Sequence, residues 1–139
     1  MITKEHATET LQMEFGKGSY AIPNVHYLGL STSAISEDTG TGFTEPADAN
    51  YSRKELTNVA ATWTTNSAGE VVNAASLEFA AFAANANTPI THWFLSSSAT
   101  GGKALYYGAL TTAYPIIQGS KIVVAAGGLQ LCRTNQATV

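Results

Sequence analysis

The sequence predicts an all-β fold: an antiparallel β-sandwich, jelly-roll or Ig-like, of about eight short strands with one short N-terminal helix. Three observations carry this expectation. Residues 89–131 read PITHWFLSSSATGGKALYYGALTTAYPIIQGSKIVVAAGGLQL, with β-rich runs separated by SATGG, a bend at Tyr114-Pro115 and a Gly119-Ser120 turn. No helix tolerates so many aromatic, β-branched and glycine residues at that spacing. Strand-like runs recur roughly every 8 to 14 residues, without βαβ alternation and without an internal repeat. Finally, the 139 residues are one domain's worth of chain. A domain of that size buries roughly 70% of its unfolded surface, so it needs no disulfide or metal staple. The expected organisation is a helix and connector over 1–19, a sandwich over 20–133 and a polar tail over 134–139.

The helix is expected over residues 3–15. Thr3 can cap it, and Ala7, Leu11 and Phe15 recur every fourth residue as one narrow apolar stripe. Gly16 and Gly18 end it. It is too short to be stable alone, so it must lie on a sheet edge or on a neighbouring subunit. The first strand is Val25–Thr32, with Val25 and Tyr27 facing one way and His26, Leu28 and Leu30 the other. A long polar loop over 33–50 follows, and its length marks it as a partner contact. Tyr51–Thr57 reads as a short edge strand guarded by Arg53 and Lys54. Residues 61–65 and 69–73 read as a hairpin around Asn66-Ser67-Ala68.

Ser76–Phe82 alternates as a strand, and Ile90–Ser96 carries bulk on both faces, as a central strand does. In that strand Ile90, His92 and Phe94 would share one face, with Thr91, Trp93 and Leu95 on the other. Lys103–Leu110 is the next strand. After the Tyr114-Pro115 bend, Lys121–Ala125 and Leu129–Arg133 would pair around Gly127-Gly128.

Charge and composition exclude several classes. Acids number 10 against 7 Lys plus Arg, for a formal charge of -3. With no basic run, binding driven by nucleic-acid phosphates has no source. The longest apolar runs fall far short of the ~20 residues that span a bilayer. The polar start MITKEHATET is unlike a signal peptide. Only 12% of residues are charged, about half the usual fraction, so Ser, Thr, Asn and Ala fill the surface instead. Such a surface is easily desolvated against other subunits, and Thr-rich strands alone also produce it. Cys132 is the single cysteine, which excludes an intrachain disulfide and fits folding in a reducing cytosol.

Sites for chemistry are sparse. His6, His26 and His92 lie in different elements and in no metal pattern such as HxH or HExxH. Structural residues with hydrogen-bond partners are the expected role of His26 and His92. There is no GxSxG elbow, and the serines sit in turn clusters. The acids Glu37, Asp38, Glu45 and Asp48 follow no EF-hand spacing and read as a solvated loop. Gly101-Gly102 precedes no helix and reads as a hairpin turn rather than a phosphate cradle. No catalytic residue, cofactor or metal is expected. Trp63, Trp93, Tyr106 and Tyr107 are the candidates for a sugar-binding groove, with core packing as the rival role.

One set of motifs occurs in a telling order. Tyr27–Leu30 has the form Tyr-x-x-Leu; Glu45-Pro46 lies in a Gly-rich loop; Tyr51-Ser52-Arg53 follows, then a strand with Trp63. Next come Ile90-Thr91-His92, the Ala-Thr-Gly-Gly turn at 99–102, Leu105-Tyr106-Tyr107-Gly108-Ala109-Leu110, Gly119 and the closing Ala126 to Leu131. In order and spacing, over most of residues 20–131, the chain resembles the small tailed-bacteriophage virion proteins that carry the label phage tail fibre protein. Ser120 departs from the Asp common there, which alters turn chemistry only.

The resemblance implies a structural, non-enzymatic virion component made in the host bacterial cytoplasm. It would be a homo-oligomer in contact with other capsid or tail proteins, as a capsid decoration protein or a tail or baseplate protein. The alternative is a carbohydrate- or receptor-binding module at the tail tip. The expected contact residues are Ile2, Ala7, Leu11 and Phe15 of the helix, and Glu37, Asp38, Phe43 and Glu45 of the loop.

Overall fold

The computed structural model describes residues 1–132. It has one helix, α1 (Lys4–Glu14), and nine strands among those residues. The strands are β1 (Val25–Ser31), β2 (Lys54–Thr57), β3 (Trp63–Thr65), β4 (Val71–Asn73), β5 (Leu77–Glu78), β6 (Ala86–Ser96), β7 (Tyr106–Ile116), β8 (Val123–Val124) and β9 (Gln130–Leu131). They form a four-stranded sheet β2-β1-β6-β7, a three-stranded sheet β3-β4-β9 and a two-stranded pair β5-β8. Every pairing is antiparallel. The fold is all-β and sandwich-like, as expected.

The main core lies between the large sheet and the smaller ones. Leu28 and Leu30 of β1, Leu56 of β2 and Leu95 of β6 meet Leu77, Phe79, Phe82, Ile122 and Leu129. Burying each such side chain stabilises the fold by about 1.5–3 kcal/mol. The opposite face of β6 holds a smaller cluster of Ile35, Phe94 and Ala104, flanked by Phe43 and Tyr107. As predicted, β6 is central and buried on both faces. Its aromatics lie over glycines of the flanking strands: Phe94 is paired with Gly29, and Trp93 with Gly108. A Cβ on Gly29 would stand 2.2 Å from the Phe94 ring, and one on Gly108 would stand 2.7 Å from the Trp93 indole. Only glycine leaves room for these rings.

Several expected boundaries move. Ile90 joins the Leu95 core rather than the Phe94 face, because the β6–β7 register shifts between Ile90 and His92. There is no break at Tyr114-Pro115: β7 runs through both residues. It is an edge strand, where alternate N–H groups point away from the partner and a missing donor costs nothing. The stretch 76–82 is strand only at Leu77–Glu78, although Phe79 N–H still donates to the Ile122 carbonyl at 2.9 Å.

The two closing runs do not pair with each other. β8 pairs with β5, and β9 with β4. Buried Asn73 draws the intervening chain across the fold. Its Nδ2 donates to the carbonyl of Ala125 at 2.8 Å, its Oδ1 accepts from Leu129 N–H at 2.8 Å, and its own carbonyl accepts from Gly127 N–H at 2.8 Å. The expected end of the last strand at Arg133 and the expected tail over 134–139 lie outside the described residues.

Arg53 is not an edge guard. It precedes β2, and its side chain is buried.

Candidate functional site

The N-terminal arm is built as a short extended segment with one β-bridge, followed by a helix. Ile2 bridges Tyr106 in antiparallel fashion on the outer edge of β7. Tyr107 N–H donates to the Met1 carbonyl at 2.8 Å, and Thr3 N–H to the Leu105 carbonyl at 3.0 Å. The Met1 ammonium donates to the Tyr107 carbonyl at 2.7 Å. Thr3 then caps α1, its hydroxyl accepting from His6 N–H at 3.4 Å. The helix turns His6 and Thr10 inward. The His6 ring sits edge-on to Tyr20 and Tyr106, each at 5.2 Å, and Thr10 returns its hydroxyl proton to the His6 carbonyl at 3.0 Å.

The predicted stripe therefore faces outward. Ile2 is buried within the chain, Ala7 is half-buried, and Leu11 and Phe15 are 41% and 73% exposed. Sequence periodicity located the stripe; it could not tell that polar His6 and Thr10 form the docking face.

Loop 33–50 folds back on its own domain. Its tip faces the helix: Lys4 Nζ lies 3.1 Å from Glu37 and 2.7 Å from Asp38, and both acids are exposed. The Asp38 hydrogen bond, then that of Glu37, raises the Lys4 pKa above its ordinary value. Phe43 stacks on Phe94 at 4.2 Å. Glu45 forms a fork with Arg53, Oε1 to Nε at 2.9 Å and Oε2 to Nη2 at 2.8 Å, and also accepts from the Tyr51 hydroxyl at 2.8 Å. Arg53 Nη1 donates to the Ser98 carbonyl at 2.7 Å, and its guanidinium lies 4.9 Å from the Phe94 ring centroid. Burial foremost pushes the Tyr51 hydroxyl far up. Sequence reading missed this network. The signal was present in the pair Glu45-Pro46 and Tyr51-Ser52-Arg53, whose partnership only the fold reveals.

Of the four candidate aromatics, the structure brings two together. Trp63 and Tyr106 line one groove of about 820 Å³, with Ile22, Val59 and Val71 along its apolar wall and His26, Asn58 and Glu70 as polar groups. The Trp63 Nε1 is buried and has no hydrogen-bond partner among the described residues. His26 Nδ1 is 2.8 Å from Asn58 Oδ1, and Asn58 Nδ2 donates to the Pro23 carbonyl. Trp63 and Tyr106 pack against the main core as well, as does Trp93, which does not line the groove; Tyr107 flanks the smaller cluster, and its hydroxyl contacts Met1 Sδ at 3.0 Å. His92 is 2.8 Å from the Thr91 hydroxyl. Among the described residues, no three His, Cys, Asp or Glu side chains converge as a metal site, and no helix is long and apolar enough to cross a membrane.

A family model described as Podophage GP4 fiber I protein gp80 matches residues 1–132. The chain belongs to this family. No curated protein matches it. Membership in the podophage fiber I family makes it a structural component of a phage virion, in contact with other virion proteins.

Proposed function

We propose that this fiber I family member is a non-enzymatic building block of the fibre or tail region. It would assemble with copies of itself and with neighbouring virion proteins. The observation that carries the reading is the α1 stripe: beside half-buried Ala7, Leu11 and Phe15 are 41% and 73% exposed. An apolar stripe left in water marks a contact surface. The exposed acids Glu37 and Asp38 lie beside the same helix and would form its polar rim. Phe43 and Glu45, engaged within the chain, would support that rim from below; buried Ile2 would anchor the helix. Antibody labelling of intact particles tests the location. Gold at the tail or fibres supports the reading, and gold over the capsid shell would instead favour a decoration protein.

A second reading rests on the groove that joins Trp63 and Tyr106. Ring faces suit the C–H surface of a sugar, and the polar edge supplied by Asn58, Glu70 and His26 suits its hydroxyls. Host glycans titrated against intrinsic Trp fluorescence test this receptor-binding role. A saturating signal lost in Trp63→Ala supports it; a flat response across the glycans removes it.

A further inference from the structure

The N-terminal arm occupies a seat that a neighbouring copy can fill equally well. The seat has three parts: the β7 edge at Leu105–Tyr107, which takes Met1–Thr3; the loop tip, whose Glu37 and Asp38 carbonyls accept from Lys4 and Glu5 N–H at 2.9 and 3.1 Å; and Lys103, which pairs with Glu5 at 2.6 Å. Every one of these contacts joins the arm to the body and none depends on the connector. Residues 15–24 belong to no helix or strand. Within them, residues 18–22 make no backbone hydrogen bond among the described residues. The connector is held at its ends, by the helix cap at Phe15 and Gly16 and by Asn58 on Pro23 and Asn24, and between them by the Tyr20 ring edge-on to His6, a contact made to the arm itself.

We propose that copies of this chain exchange their N-terminal arms, each arm adding as an edge strand and helix to the next copy's β7. The inference rests on the reading above that the chain self-associates, and it names the contact. Closed and exchanged forms share the same arm contacts, so connector length and concentration decide between them. A short flexible linker holds the arm at an effective concentration on the order of millimolar. Neighbours fixed side by side in a particle present their arms at a comparable concentration. Stretched, residues 15–24 reach about 30 Å, against a radius of gyration of about 14 Å for a domain of this size. The next seat is thus within range.

The closed form also leaves Leu11 and Phe15 in water while the polar His6 and Thr10 face does the docking. An exchanged arm lies at the junction of two bodies, where that stripe can be covered.

The test uses the full chain without substitution. Isotopically heavy and light protein are incubated together to equilibrium, and a carbodiimide then joins Lys4 to Glu37 or Asp38, pairs that touch at 3.1 and 2.7 Å. Sedimentation of the same sample gives the oligomeric state. Mixed heavy–light Lys4–Asp38 peptides in the oligomer fraction are the expected result. Oligomers holding only like–like peptides overturn exchange while leaving self-association intact. A monomer at every concentration, with only like–like peptides, overturns both.

Discussion

Glu45 is a carboxylate that acid can switch off. Burial on its own raises its pKa, but the hydrogen bonds from Arg53 and Tyr51 and the guanidinium charge outweigh burial and hold it below its ordinary 4.5. Asp48 is also held below its ordinary 3.8, first by the Ala83 N–H and then by those of Asn50 and Ala84. A depressed carboxyl contributes stability in full above its unfolded pKa, and that share is lost as pH falls through the folded pKa. The chain is therefore expected to weaken in acid below 4.5, and Glu45→Gln to show a shallower fall than the parent. Denaturant midpoints at about pH 7 and about pH 3 measure the slope. At neutral pH Arg53→Ala strands the part-buried Glu45 carboxylate and takes the donor from the Ser98 carbonyl. Its cost is expected to be about 3 kcal/mol, the range for breaking a buried pair from one side. A loss no larger than that of an exposed pair would show that the fork contributes little.

Single elements explain which parts of the fold the sequence made legible. The β3–β4 hairpin was readable because Asn66 writes its own turn: its Oδ1 accepts from Ala68 and Glu70 N–H, each at 3.0 Å. The helix start was readable from Thr3 for the same local reason. The partners of β8 and β9 were not, since they depend on Asn73, whose bonds to Ala125 and Leu129 span more than fifty positions. A polar residue in a Val-Val-Asn run gives no hint of such a reach. Asn73→Ala is expected to cost about 3 kcal/mol, because it takes the partner from the buried Leu129 N–H and from the carbonyls of Ala75 and Ala125. Hydrogen exchange at Leu129 would rise first if Asn73 is the clasp, and unchanged protection there would refute it. The Gly29–Phe94 pair is equally sensitive to substitution. Gly29→Ala drives a methyl into a fully buried ring, and overpacking of this kind costs about 3 kcal/mol. Thermal unfolding with near-ultraviolet dichroism would register both the loss and the displaced ring.

At the scale of the whole molecule, two demands compete for the same short sequence. The sandwich needs its edges closed, and no charged residue lies between Lys103 and Lys121 to discourage open-ended pairing along β7. The fold closes that edge by other means: the bridged Met1–Thr3 segment at one end, two register shifts along β6–β7 and Pro115 near the other end. The helix α1 also holds apolar side chains outside the core, Leu11 and Phe15, while its His6 and Thr10 are buried. The two candidate roles of α1 residues were thus partly legible, since spacing reveals a stripe but only docking reveals which face is inward. If the stripe serves assembly, its residues contribute to contacts between chains and little to folding. Leu11→Ser combined with Phe15→Ser is then expected to leave the unfolding midpoint within about 0.5 kcal/mol of the parent, as for exposed positions. The same variant is expected to shift sedimentation toward the monomer by tenfold or more in dissociation constant, the effect of about 1.4 kcal/mol at the interface. Unchanged self-association with an unchanged midpoint would detach the stripe from assembly. A large drop in the midpoint would instead mean that Leu11 and Phe15 hold the helix to its own sheet.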